Sequence, residues 1–279
     1  MKKKGAMNAN RNFTTLVMIA VLMIFSSCEN DTSQEVTTLN NLVWADEFNV
    51  DGAPDPQNWT YEIGTGQNGW GNNELQYYTD RSENIKVENG FLVITAREES
   101  FQGSDYTSAR IITKDKREFE YGRFEARMKM PWGQGIWPAF WMLGADIDQN
   151  PWPGAGEIDV MEYLGQDPTI TFGTIHGPGY SGGESVSKKY DLGNSRFDTK
   201  FHVFGIEWGP GFVNFYVDDV LYGRLTPEDI PEGSDWVFDK PFFLLLNMAI
   251  GGTLPGSPDQ NTVFPQTLIV DYVRVYSFE

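Results

Sequence analysis

Along most of the chain, apolar positions recur at every second residue, the spacing of a strand with one buried and one wet face. Gly122, Phe124, Ala126, Met128 and Met130 alternate with Arg123, Glu125, Arg127 and Lys129. Ile85 to Ala96 reads as a hairpin turning at Asn89-Gly90, a pair that accepts positive φ. A second hairpin runs through Phe212 to Val217, turns near Asp218-Asp219 and returns through Val220 to Arg224. Phe242 to Ile250 is apolar on both faces, as expected of a central strand covered on both sides, and Leu268 to Tyr276 is a β-branched, aromatic strand. No stretch holds a helical period. Many short strands separated by Gly, Pro and Asn turns predict an all-β fold, a two-sheet antiparallel sandwich of the jelly-roll kind.

The beginning of the chain breaks this pattern. Lys2, Lys3, Lys4 and Arg11 precede an unbroken apolar run from Leu16 to Phe25. That run is too short for a bilayer core of about 30 Å and has the layout of a cleavable signal peptide over residues 1–27. Ser26, Ser27 and Cys28 follow, and Cys28 is the only cysteine. It is either incidental or the acylated first residue of a lipoprotein, and the small residues before it favour acylation. Residues 28–40 read as a polar tether and 41–279 as one domain. An exported, membrane-anchored protein of the cell envelope, outer membrane or cell surface is therefore expected, with a monomer as the default.

Charge narrows the partners. The chain carries a formal net charge of −18, and loss of the leader's four cations takes this to about −22. Such a surface repels nucleic acid and anionic polymers, so a neutral ligand fits best.

The chemistry concentrates in Gly156-Glu157-Ile158-Asp159-Val160-Met161-Glu162-Tyr163. Strict alternation puts Glu157 and Asp159 on one face, while Glu162 arrives one residue late. It joins them only if the strand absorbs an extra residue, so a β-bulge is predicted near Val160 or Met161. The plain alternative is a solvent-facing acidic edge strand. Against it, Ile158, Val160 and Tyr163 are apolar, and three acids on one face are costly to desolvate. Two carboxylates on a shared face suit glycoside cleavage: Glu157 as nucleophile, Glu162 as acid/base with a raised pKa, and Asp159 hydrogen-bonded to the nucleophile.

This segment resembles the active-site signature of glycoside hydrolase family 16, and its extra Met resembles the bacterial laminarinase (endo-β-1,3-glucanase) branch. The likeness extends over Trp44 to Phe48, Trp70 to Tyr78, Trp137 to Leu143 and Val270 to Tyr276. It implies a concanavalin A-like jelly roll with a concave cleft and a retaining, endo-acting hydrolase of laminarin-type β-1,3-glucan. A mixed-linkage β-1,3-1,4-glucanase, a galactan-active relative and a non-catalytic carbohydrate-binding lipoprotein are the competing readings.

Trp137 and Trp141, four apart on one strand face, are either sugar platforms or core; the polysaccharide reading favours the cleft. Trp70 and Trp132 are weaker candidates of the same kind. The resemblance places His176 in the cleft near the acid/base, and Arg110 and Asn72 on sugar hydroxyls, although Arg110 alone reads equally as an ion-pair partner. Asn247 and Gln266 are further possible contacts, and His202 is structural. Leu254 stands where the family commonly has an aromatic residue. No cofactor is expected for catalysis. The resemblance also implies a structural Ca²⁺ held by Asp271 with backbone oxygens near Glu47 and Gly90, a hard-oxygen set.

Overall fold

The computed structural model describes residues 41–278. The leader, Cys28 and the tether lie outside the described residues. Within them the chain forms two sheets of ten and eight strands. The only helical segments described are the short turns Gly69–Asn73 and Gly182–Glu184. All strand pairings are antiparallel except that of Gln76–Tyr78 with Ser104–Ser108.

The eight-stranded sheet carries the site. Its order is Val186–Asp191, Ile170–His176, Glu157–Glu162, Ile136–Gly144, Phe242–Ile250, Arg110–Ile112 and Thr60–Tyr61, with Glu118–Phe119 paired to Phe242–Ile250. Inward positions of both sheets fill one core: Phe124, Ala126 and Met128 from the larger, and Phe140, Met142, Ile158, Leu244 and Leu246 from the smaller. Each large side chain buried there contributes about 1.5–3 kcal/mol. The Phe242–Ile250 strand is buried at every position, as its unbroken apolar run requires. Phe243 and Leu245 pack on the opposite face from Phe242 and Leu244, in a smaller cluster against Trp141.

Both hairpins form as read. Asn89 and Gly90 adopt φ of 55° and 80°, and Asp218 and Asp219 adopt 48° and 66°, the mirror-image turn that matches strand twist. One expectation fails in detail. Arg123 and Glu125, assigned to a wet face, are only 6% exposed each. They pair with one another, Arg123 also pairs with Asp219, and its guanidinium lies 5.9 Å from the Tyr216 ring. Alternation gave the face correctly, but long side chains on a broad sheet cover one another.

The residues expected to hold calcium lie on or beside the larger sheet. Asp46 pairs with Val273 and Leu92 with Val270, so the strand ends at Glu47 and Gly90 approach one another along a single edge of the C-terminal strand, close to Asp271. The acid groups themselves are engaged. Asp271 Oδ2 accepts from Arg127, and Arg274 clasps Glu47 through both oxygens at 2.7 and 2.9 Å. A carboxylate suits a hard cation, but the pairing of Asp271 with Arg127 and of Glu47 with Arg274 makes the fit partial.

Candidate active site

The catalytic strand is bulged where its spacing requires. Asp159 pairs with Trp141 and Met161 with Phe140, leaving Val160 unmatched. On the other side, Asp159 pairs with Thr174 and Glu162 with Phe172, so three residues span what two span opposite. Val160 and Met161 both enter the core, at 1% and 0% exposure. The extra apolar residue returns Glu162 to the face of Glu157 and Asp159.

Each acid meets its own donor. Trp137 Nε1 donates to Glu162 Oε1 at 3.1 Å, and Trp152 Nε1 donates to Glu157 Oε2 at 2.6 Å. His176 Nε2 lies 3.0 Å from Asp159 Oδ2 and 3.9 Å from Glu157 Oε1. Asp159 and Glu157 share a hydrogen bond. His176 thus stands nearest Asp159 and Glu157, and close enough to the acid/base to act on the charge of Glu162 as well. The register dictates this, because it pairs His176 with Glu157 and Phe172 with Glu162.

Burial dominates the titration. It raises Glu162 to about 7, with the charge of Glu157 adding and His176 and Trp137 opposing. It raises Glu157 to about 8, with Asp159 adding, and moves Asp159 upward as well. The raised acid/base agrees with its expected role; the raised nucleophile follows from burial beside Asp159. Two adjoining buried carboxyls cannot both ionise cheaply, so Glu157 and Asp159 hold one proton between them. Only the form with that proton on Asp159 leaves Glu157 nucleophilic, accepting from both Asp159 and Trp152.

His176 carries a tension of its own. Burial opposes its charging, yet the Asp159 hydrogen bond and the nearby carboxylates carry it to about 9. Its Nδ1, however, accepts the amide N–H of Gly182 at 3.1 Å, which an imidazolium could not do. The Gly182 amide therefore favours the neutral ring, with its proton on Nε2 facing Asp159.

A second network orders the adjoining sheet face. The Arg110 guanidinium lies between Trp70 and Trp141, 4.5 and 4.8 Å from their rings, and pairs with Glu62. Its ion-pair reading therefore holds, and one face of Trp141 is capped. Trp141 Nε1 donates to Asn247 Oδ1 at 2.7 Å, and Asn247 donates to Tyr78. Trp137 is only 8% exposed and packs with Leu164 and Ala249, so it serves the acid/base as much as any sugar. Asn72 binds Thr253 through its carbonyl and Glu74 through its side chain. Gln266 is taken up by Trp132 N and Val263 O. His202 is buried on Asp218, structural as read. Trp132 and Leu254 are exposed.

Two residues of the site escaped the sequence reading. Trp152 sits in a Pro/Gly loop, and only its place five residues before Glu157 hints at its contact. Glu74 lies within the Trp70 to Tyr78 segment, but nothing local reveals that it accepts from Gln76 at 2.6 Å and Tyr78 at 3.1 Å. Burial first of all raises its pKa.

Residues 70–272 match the family model described as Glycosyl hydrolases family 16. A beta-glucanase of Rhodothermus marinus is 42% identical over 270 residues, covering 94% of this chain and 93% of the relative. The glucan endo-1,3-beta-glucosidase A1 of Niallia circulans is 38% identical over 257 residues; the match covers 85% of this chain but 38% of that longer protein. The X-ray structure of endo-beta-1,3-glucanase from Pyrococcus furiosus superposes with a TM-score of 0.84 at 45% identity, covering 89% and 98% of the two chains. With its catalytic strand, its bulge and its sandwich alike in place, the chain belongs to glycosyl hydrolase family 16.

Proposed function

We propose that this chain is a retaining endo-β-1,3-glucanase acting on a neutral laminarin-type polymer. One observation carries the reading: the bulge at Val160 sets Glu157, Asp159 and Glu162 on a single face, each with a hydrogen-bond partner of its own. Glu157 attacks the anomeric carbon as Glu162 passes its proton to the departing glycosidic oxygen, and that C–O bond breaks. A glycosyl ester on Glu157 results. Glu162, now anionic, takes a proton from water as the water oxygen attacks the same carbon; the ester bond breaks and its electron pair returns to Glu157. Neither step calls for a metal.

The substrate assignment draws on the named activities of the relatives and on the net charge of −18, which disfavours polyanionic substrates. Reducing-sugar release from laminarin, lichenan and agarose tests it. Fastest release from laminarin is expected; release from lichenan or agarose alone would move the protein to a mixed-linkage or galactan specificity. A non-catalytic binding protein would release nothing from any of them and would keep its polysaccharide affinity in Glu157→Ser.

Two attachments complete the proposal. Cys28 carries a lipid that holds the enzyme at an envelope membrane, so Cys28→Ala should move it from the detergent phase to the aqueous phase. A Ca²⁺ beside Asp271, Glu47 and Gly90 stabilises the larger sheet, with the partial fit of the donors as its support. A chelator should then lower Tm and leave kcat on the folded enzyme unchanged.

A further inference from the structure

Trp152 is an exposed residue with a buried duty. The residue is 46% exposed, yet its indole N–H reaches Glu157 Oε2 at 2.6 Å and its ring lies 6.1 Å from that of His176. An indole on a free loop would not hold so short a bond, and this loop is not free. Lys240 Nζ donates to Asp146 Oδ2 at 2.8 Å and to Gly154 O at 3.3 Å. Asn150 Nδ2 joins the same two acceptors at 3.3 and 2.7 Å. At the loop's end, Gly156 has φ of +78°, where a Cβ would press on Val237 and Phe242. The strap, the tight exit and the hydrogen bond together fix the indole before any sugar arrives.

We propose that Trp152 is a positioning residue for the second half of the reaction, in which it makes Glu157 a better leaving group. The inference rests on the retaining reading above. An N–H donor binds a carboxylate more strongly than the carbonyl oxygen of an ester. The Trp152 bond therefore weakens as Glu157 is esterified and strengthens as the ester C–O bond breaks and the electron pair returns to Glu157. An interaction that grows toward a transition state lowers that barrier. Glycosylation gains nothing from it, whereas deglycosylation does. The same donor favours the ionised nucleophile in the resting enzyme, and its direction on Glu157 is downward against the larger effect of burial.

Trp152→Phe keeps the ring and removes the donor. With a 2,4-dinitrophenyl β-laminaribioside as probe, deglycosylation should slow about tenfold, the scale of one hydrogen bond to a charged group. kcat and KM should fall together, a pre-steady-state burst of dinitrophenol should appear, and the quenched enzyme should gain the mass of the sugar. The acid limb of kcat/KM should move to higher pH. If KM rises while kcat, the burst and the acid limb stay as in the wild type, the indole is only a wall for sugar and the proposal is overturned. Lys240→Met, which loosens the strap without entering the cleft, repeats the test should the Phe variant lose its native melting transition: it must shift the same observables in the same direction, and no shift overturns the proposal. A wild-type enzyme inert toward both probe and laminarin would instead defeat the glucanase reading itself.

Discussion

The indole of Trp137 donates to Glu162 Oε1 at 3.1 Å, which leaves Oε2 as the oxygen that carries the transferable proton. Glu162 is held up to about 7 mainly by burial, so it stays protonated below that value and general-acid catalysis is lost as pH rises through it. The alkaline limb of kcat/KM should lie near there. Because the Trp137 donor favours the ionised form, Trp137→Phe should move that limb to higher pH while lowering kcat/KM by about tenfold, the scale of a lost charge-assisted bond. A pH–rate profile of both enzymes checks this.

Removing an acid should trade activity for stability. The native pKa of Glu157, at about 8, exceeds the ordinary carboxyl value. The native state therefore binds the extra proton more tightly than the unfolded chain. The cost of this site is absent at low pH, grows as pH rises above the ordinary carboxyl range, and is complete once pH passes about 8. Glu157→Gln should raise Tm at pH 7 and little at pH 4, with about 2–4 °C for each kcal/mol regained in a domain of this size. Hydrolysis should fall by at least about a thousandfold. Calorimetry at the two pH values decides the matter.

The bulge makes an unusual prediction about strand length. Deleting Met161 restores strict alternation and keeps three acids on one face, at a cost of about 2–5 kcal/mol for a buried Met. The deletion variant should melt lower yet retain measurable turnover on laminarin. Inserting one alanine after Val160 also restores alternation, but it carries the final glutamate about 7 Å further along the strand from Glu157, and no turnover should survive in whatever fraction folds.

Arg110 lies between Trp70 and Trp141. Arg110→Ala removes two cation–π contacts of about 0.5–2 kcal/mol each and leaves Glu62 without its partner. Kinetics on laminarin oligosaccharides should show KM raised several-fold with kcat little changed, since the arginine touches neither glutamate.

Much of this was legible along the chain because period and turn chemistry are local. The hairpins at Asn89-Gly90 and Asp218-Asp219 follow from residues that tolerate positive φ, and the bulge follows from one glutamate arriving a residue late. What was not legible depends on neighbours brought from afar. The place of His176 is set by cross-strand register. The commitment of Arg110 to Glu62 and two indoles, and the burial of Arg123 and Glu125, depend on side chains far away in sequence. Trp152 reads as a loop residue until the strap through Lys240 and Asp146 is seen to aim it.

The division of labour between the two glutamates is the core of the account, and chemical rescue with azide tests it most directly. Azide added to Glu157→Ala should attack from the face the nucleophile vacated and give an α-glycosyl azide from an activated β-laminaribioside. Added to Glu162→Ala, it should intercept the glycosyl ester and give the β-azide. The opposite pairing of anomers would contradict the assignment of Glu157 as nucleophile.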